Sequence, residues 1–572
     1  MTDCGRDIIK GLLAESQIYT TIEDLEKYID SGNDLSALAV QPLYLIVRNL
    51  SPEIIASYLP SFSKEQREAF LDLDLWEKDR LDVQSFVDWL PAYHLCADDD
   101  VKLEFVKSDQ FALFLKGKFH VSTFDLEEPE YPDHDHFFLT DDSLLLIEYE
   151  EDFQYVNELK SLMRHLYYSL GVEHAYTHFF KVVSETYSVL EEEEYRFKKE
   201  RQKDLGFVDY YDALDVQTPF SNFPVMDNFI KKKNKFVASV DELASAQALH
   251  KSILVTYQYG FDPLSEELSK VTNTKRVDYL QFNFIRLINA GLAVEGALKE
   301  GSLAMGRVGQ STKSLLILGF NYIRSKNTHF NKEEKHESLF DSFDFVDLYR
   351  VGKTLIYDNQ RKIKRALQNT PFVNDHEIFL GSFWEEYLDN SFESPVKYRW
   401  PGTLSPSEVF DPESADLWAR RGRTFIEILP FAKKFFEVFS ALRESGRISN
   451  SFYLNYTLDD IDLEGILLSA FANFSLGHLD QVSSPKLGLT LDEFRVWIIQ
   501  VVDDDGKLKN DAFLNQKISE FAESFGLSVV YDFSSYMIEL MRGQLEGYEY
   551  KKLSFEDFKH VGGPIILSAL KN

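Results

Sequence analysis

Between Val172 and Phe207 the apolar residues return every three or four positions: Tyr176, Phe180, Val183, Tyr187, Leu190 and, after one gap, Phe197. That spacing sets them on one face of an α-helix. The stretch is therefore expected to be one long helix that buries a stripe against other helices. The gap is Glu194, a carboxylate in line with the stripe. Lys198, Lys199, Arg201 and Lys203 gather at the C-terminal end, where positive charge complements the helix dipole, and Gly206 supplies a stop.

A chain of 572 residues is too long for one core, so three or four domains are expected. Forty-seven Phe and 29 Tyr suit bulky helix–helix packing. The net charge of −33 argues against nucleic acid as the main partner, since phosphate binding needs clustered Lys and Arg. It favours protein partners, basic ones among them. Two cysteines, Cys4 and Cys96, allow neither a disulfide framework nor a thiolate zinc site. The first residues carry charges through their only apolar part, and no stretch reaches about 18 uncharged apolar residues. A cytoplasmic protein with no transmembrane segment is the expectation.

Short helical patterns run through residues 7–93, at Leu43–Leu50, Pro52–Leu59, Lys64–Leu71 and Asp82–Leu90. Ser51-Pro52 and Ser63 look like helix starts. Helices this short are marginal alone and must stack. The period then changes: residues 119–124 alternate like a strand, and HFFLT, Asp141-Asp142 and SLLLIEYE read as a β-hairpin with an acidic turn. A helix over residues 153–170 ends at Gly171 and is expected to pair antiparallel with the long helix after it. Residues 221–235 read as a linker or exposed loop, residues 371–412, with five prolines, as an irregular connector, and the remainder as helices, including Asp241–Tyr259 and Asp416–Arg443. The expected fold is mostly α, a stacked helical-repeat or superhelical bundle with one small α+β element. Its expected divisions are 1–94, 95–220, 236–370, 371–412 and 413–572.

Two resemblances accompany these patterns. The run LSPEIIASYLPSFSKEQREAFLDLDLW resembles the cytoplasmic N-terminal domain of MgtE-type magnesium transporters, over roughly residues 38–90. That family's membrane domain has no counterpart here, so transport is not implied. The blocks LDLDLWEKDRLDVQSFVDWL, HFFLTDDSLLLIEYE and EEEEYRFKKERQKDLGFVDYYDAL, in this order, look like a family of uncharacterised bacterial proteins of similar length, with likeness extending into Leu280–Ile323. That resemblance implies a bacterial cytoplasmic protein without an assigned activity, and no catalytic residue comes with it.

Three groups of residues are candidates for chemistry. Asp133, His134, Asp135 and His136 combine carboxylate and imidazole as zinc, iron or manganese would require, though alternation along a strand allows only alternate residues to converge. The ordinary alternative is a solvated acidic loop: residues 119–159 hold thirteen Asp or Glu and no Lys or Arg. His174 and His178 lie four apart on the helix, but a metalloprotease helix needs Glu where Ala175 stands, so packing histidines are the stronger expectation. Glu194, with Arg196 and Arg201, forms the third group. A carboxylate taken from water must find a partner or a proton, and Arg201, seven residues on, is placed to serve. A structural buried pair is favoured there over an acid–base site, since buried pairs also shift pKa. Glu192–Arg196 and Glu194–Lys198 have the spacing of helical ion pairs.

Familiar templates fail. In GRVGQSTKS, Thr312 stands where a phosphate loop needs Gly. In VDDDGKLKNDAF, Val501 and Ala512 fall where a calcium loop needs carboxylates. No Gly-x-Ser-x-Gly elbow occurs. ARRGR, Ala419–Arg423, is explained by a surface face or salt bridges. A helical interaction or regulatory protein without a cofactor is thus the leading expectation. An enzyme using a divalent metal at Asp133–His136 or an acid–base group near Glu194 is the rival, and a divalent-cation sensor at the acidic hairpin is the third.

Overall fold

The computed structural model describes residues 40–205, 207–233, 263–300, 302–326, 338–373, 377–455, 457–478, 488–509, 512–554 and 556–569, with a few positions between Glu26 and Leu38. It is mostly α-helical, with three small antiparallel sheets among the described residues. Gly206 and the expected helix Asp241–Tyr259 lie outside the described residues. The chain divides into two compact units. The first is Met1–Thr218 with Asn228–Arg350; the second is Pro219–Asp227 with Val351–Asn572.

The first unit begins with short helices, Val40–Val47, Pro52–Tyr58, Lys64–Leu75 and Val83–Leu95. Each start has a local cause. Pro52 opens its helix where a missing N–H costs nothing, and Ser63 and Gln66 cap each other reciprocally. Asp98 caps Asp99–Val106 by accepting from the Asp100 and Val101 amides. Their apolar faces meet in an aromatic core. Phe86 stacks on Phe114 with ring centres 4.4 Å apart, and Tyr93 on Phe105 at 3.8 Å. The alternating segments form a three-stranded antiparallel sheet, in which Leu145–Glu148 lies between His120–Thr123 and Phe137–Leu139.

Two expectations fail in this unit. The stretch after Gly171 is two helices, Val172–Ser184 and Tyr187–Asp204, because Glu185 and Thr186 are extended and Thr186 starts a new helix. The first of them packs on Val156–Leu170, which Gly171 ends at φ +79°. The stripe was also misphased: the buried residues are Ala175, Phe179, Val182 and Leu190, while Phe180 is 39% and Phe197 40% exposed. Beyond Leu190 the buried face continues as Glu194, Lys198 and Gln202, one helical turn apart and all polar.

In the second unit the long helix Pro412–Glu444 crosses Ser382–Phe392 and Phe533–Leu545, around the fully buried Trp384, Trp418 and Tyr536. The indoles are satisfied, Trp384 Nε1 donating to Tyr536 Oη at 3.1 Å and Trp418 Nε1 to Ser391 Oγ at 2.9 Å. Residues 371–412 are thus not simply irregular. They hold the helix Ser382–Phe392, and a small hairpin pairs Lys397–Tyr398 with Ser407–Glu408. The stretch read as a linker or exposed loop, residues 221–235, holds the helix Phe223–Lys232, whose Met226 and Ile230 are buried, and the division between the two units falls within it, after Asp227.

Candidate functional site

Glu194 is 3% exposed, and Arg201 Nη2 donates to its Oε1. The same guanidinium grips Asp72, Nε to Oδ2 and Nη2 to Oδ1, both at 2.8 Å. Gln110 donates to Asp72 Oδ1 at 2.6 Å. Two carboxylates therefore share one cation in a dry setting, where the charged forms are costly. Burial pushes Glu194 up to about 7 against the pull of Arg201, and pushes Asp72 up as well. Lys198 does not pair with Glu194. Its ammonium donates to the Lys78 carbonyl at 3.2 Å and lies about 5 Å from the Trp76 and Tyr195 ring centres, and burial lowers it to about 8. Arg196 is exposed and stands over Phe197, because two residues on from Glu194 is about 200° round the helix. It is no member of a buried group, and among the described residues neither Glu192–Arg196 nor Glu194–Lys198 forms an ion pair. The cluster is closed: Asp72, Glu194 and Arg201 answer one another.

The histidine candidates are placed differently. The His134 and His136 rings are 5.8 Å apart, and the His136 amide donates to His134 Nδ1 at 3.2 Å. Asp133 and Asp135 are exposed. Glu148, on the neighbouring strand, is the carboxylate nearest the imidazoles, 3.3 Å from His134 Nε2 and 3.7 Å from His120 Nε2. Sequence spacing gave no hint of that convergence, which depends on strand register. His174 is exposed, whereas His178 is half-buried, 3.2 Å from the Val106 carbonyl, and lowered by burial. Among the described residues no three His, Cys, Asp or Glu come together in an arrangement that would hold a metal ion.

A concave site lies in the second unit. A cleft of about 620 Å³ opens between Ser382–Phe392, Pro412–Glu444 and Phe533–Leu545, with the hairpin loop after Tyr398 along its rim. Phe383, Tyr398 and Trp400 give it aromatic walls, and three Arg–Glu pairs surround it: Arg399 with Glu386, Arg421 with Glu539, and Arg542 with Glu546 at 3.8 Å. In the central pair Glu539 is half-buried and Arg421 is buried, 6% exposed. Its Nη2 donates to Glu539 Oε1, and its guanidinium lies over Phe383, 5.5 Å from the ring centre. Arg421 Nη1 makes no well-aligned hydrogen bond and has no access to water, although the Tyr398 hydroxyl interacts with the guanidinium. Among the described residues Glu539 is hydrogen-bonded through Oε1 alone, and burial holds it above the ordinary carboxylate range against Arg421. An unmet donor on a buried cation is costly, so a native structure that retains one needs a reason for it.

The cleft is braced from behind. Glu464, 1% exposed, accepts from the Phe383 amide at 2.6 Å and from Gln544 Nε2 at 2.9 Å, so it ties the helix carrying Phe383 and Tyr387 to the one carrying Glu539. Burial lifts it to about 7. Gly422 permits the helix crossing, since a Cβ there would stand 2.6 Å from Asn359 Oδ1 and 2.8 Å from the Tyr387 hydroxyl. On the opposite face of the same helix, Arg420 and Arg423 border a second groove of about 680 Å³. Asp416 and Glu427 hold those two arginines, both more than half exposed, so this face is an ordinary salt-bridged surface.

A model for a family of unknown function, DUF6178, matches residues 25–553. No curated protein and no solved structure matches the chain, so the likeness of residues 38–90 to the magnesium-transporter domain finds no counterpart there.

Proposed function

We propose that this chain, which belongs to the DUF6178 family, is a binding protein whose second unit takes a small carboxylate-bearing organic ligand into the Arg421 cleft. One observation carries this: a buried arginine lining a concave, aromatic-walled space keeps a donor nitrogen without a well-aligned hydrogen bond. A guanidinium fork is suited to a carboxylate, and aromatic walls suit an apolar body. Because Nη1 is shut off from water, occupation requires a rotamer change at Arg421 or at Tyr398 beside it. Titration calorimetry with 3-phenylpropionate and its neutral amide tests the idea. The carboxylate should bind and the amide should not, and Arg421→Lys, which keeps the charge but loses the fork, should weaken binding at least tenfold. Equal binding of acid and amide would contradict it.

A second reading concerns protein partners. Aromatic and aliphatic side chains stand exposed on the helices Val156–Leu170 and Val172–Ser184: Tyr168 is 89%, Val172 56% and Phe180, a member of the expected stripe, 39% exposed, with Tyr176 stacked on Phe180 at 5.6 Å. Contiguous apolar surface of this kind suits a protein partner. With a net charge of −33, a basic partner is favoured. Replacing Tyr168 and Phe180 by Ser should leave folding intact and abolish any complex formed through that face. A complex that survives the double change would remove this reading.

A further inference from the structure

Resting on the carboxylate reading above, we infer that the ligand is a free α-amino acid with an apolar or aromatic side chain, held by both halves of the Arg421–Glu539 pair. The pair spends one nitrogen and one oxygen on each other, Nη2 on Oε1. What it keeps back is a matched set, the Nη1 donor and the second carboxylate oxygen of Glu539. These two groups belong to adjacent partners. A molecule that answers both must carry an anion and a cation close together, as an α-carboxylate and α-ammonium are on one carbon.

The charge balance of the lining agrees. Three arginines face three glutamates, each in a pair, so the cleft is formally neutral. A ligand with net charge would leave a member of the central Arg421–Glu539 pair, the most deeply set of the three, without its counter-ion, and a zwitterion would not. The side chain has a place as well. Tyr398 and Trp400 meet edge to face, ring centres 4.6 Å apart at 80°, and line the cleft together with the Phe383 ring that lies under Arg421. An aromatic side chain gains from such walls beyond its buried area, and an aliphatic one through the area it buries. A peptide separates its two charged ends by at least one amide unit, which the single ion pair cannot span.

The test uses the full chain and a panel of four probes in titration calorimetry: L-phenylalanine, N-acetyl-L-phenylalanine, L-phenylalaninamide and glycyl-L-phenylalanine. L-Phenylalanine should bind at least tenfold more tightly than each of the others. In Glu539→Gln, the preference for L-phenylalanine over its N-acetyl form should fall to less than threefold. The panel on the native chain decides the matter even where that variant fails to fold. If N-acetyl-L-phenylalanine binds as tightly as L-phenylalanine, the ammonium contributes nothing and the inference falls, while the carboxylate site stands. If the dipeptide binds best, the amino-acid assignment falls. If L-phenylalaninamide equals L-phenylalanine, or none of the four binds, the carboxylate reading falls with it.

Discussion

Two regions of this protein set an arginine against buried or half-buried carboxylates, and they have opposite characters. In the first unit Arg201 divides its donors between Asp72 and Glu194, and Gln110 completes Asp72. In the second, Arg421, which lines a cleft, meets Glu539 with one nitrogen and leaves another without a hydrogen bond. Glu194 and Glu464 are both lifted to about 7, so perturbed titration does not separate the two regions. Concavity and an unmet donor do. A closed network of charges specifies how helices pack, and an open one is available to a ligand.

The largest expected effect falls on the closed cluster. Asp72→Ala strips Arg201 of its bidentate partner and should cost about 3–5 kcal/mol, read from urea unfolding. Ligand affinity in the second unit should not change, and if it fell tenfold the two regions could not be treated as separate in kind. Gly422→Ala comes next. The added methyl meets Asn359 and Tyr387 and should cost about 1–3 kcal/mol, with a matching loss of cleft affinity. Full stability in that variant would show that the crossing yields easily.

A smaller effect concerns pH. Glu464 has a folded value near 7, above its unfolded value near 4.5. The folded state therefore holds the proton more tightly. The stability from this group is fully present below about pH 4.5 and is lost as pH rises to about 7. Unfolding midpoints measured from pH 4.5 to 7 should decline, and Glu464→Gln, which cannot ionise, should flatten part of the slope. A variant with the slope unchanged would remove Glu464 from the account. The smallest effect is at Arg196: its replacement by Ala should stay within about 0.5 kcal/mol of the parent, because its side chain stands on the exposed face.

Local features of the fold were readable because local physics sets them. Ser63 with Gln66, Pro52, and the alternation in residues 137–148 each fix an element within a few residues. Glu194 and Arg201 could be placed together for the same reason, seven residues on one helix. The break at Glu185-Thr186 was hidden because neither glycine nor proline marks it, and the threonine capping position looks like an ordinary helical residue. The phase error between Phe179 and Phe180 has a similar origin: two adjacent aromatics fit the period equally, and only the packed neighbours choose. Asp72 and Gln110 joined the Arg201 cluster from distant helices. The cleft was illegible for that reason. Its walls come from residues 382–404, 421 and 539–546, and Arg421 sits in a basic run whose other arginines make surface pairs.

Hydrogen–deuterium exchange of the full chain, with and without saturating L-phenylalanine, compares the two regions in one measurement. Slower exchange is predicted in Phe533–Leu545 and in the loop between Tyr398 and Ser407, with Tyr187–Asp204 unchanged. Protection confined to Tyr187–Asp204, or absent from both regions, would contradict the claim that the unanswered arginine, not the satisfied one, marks the site.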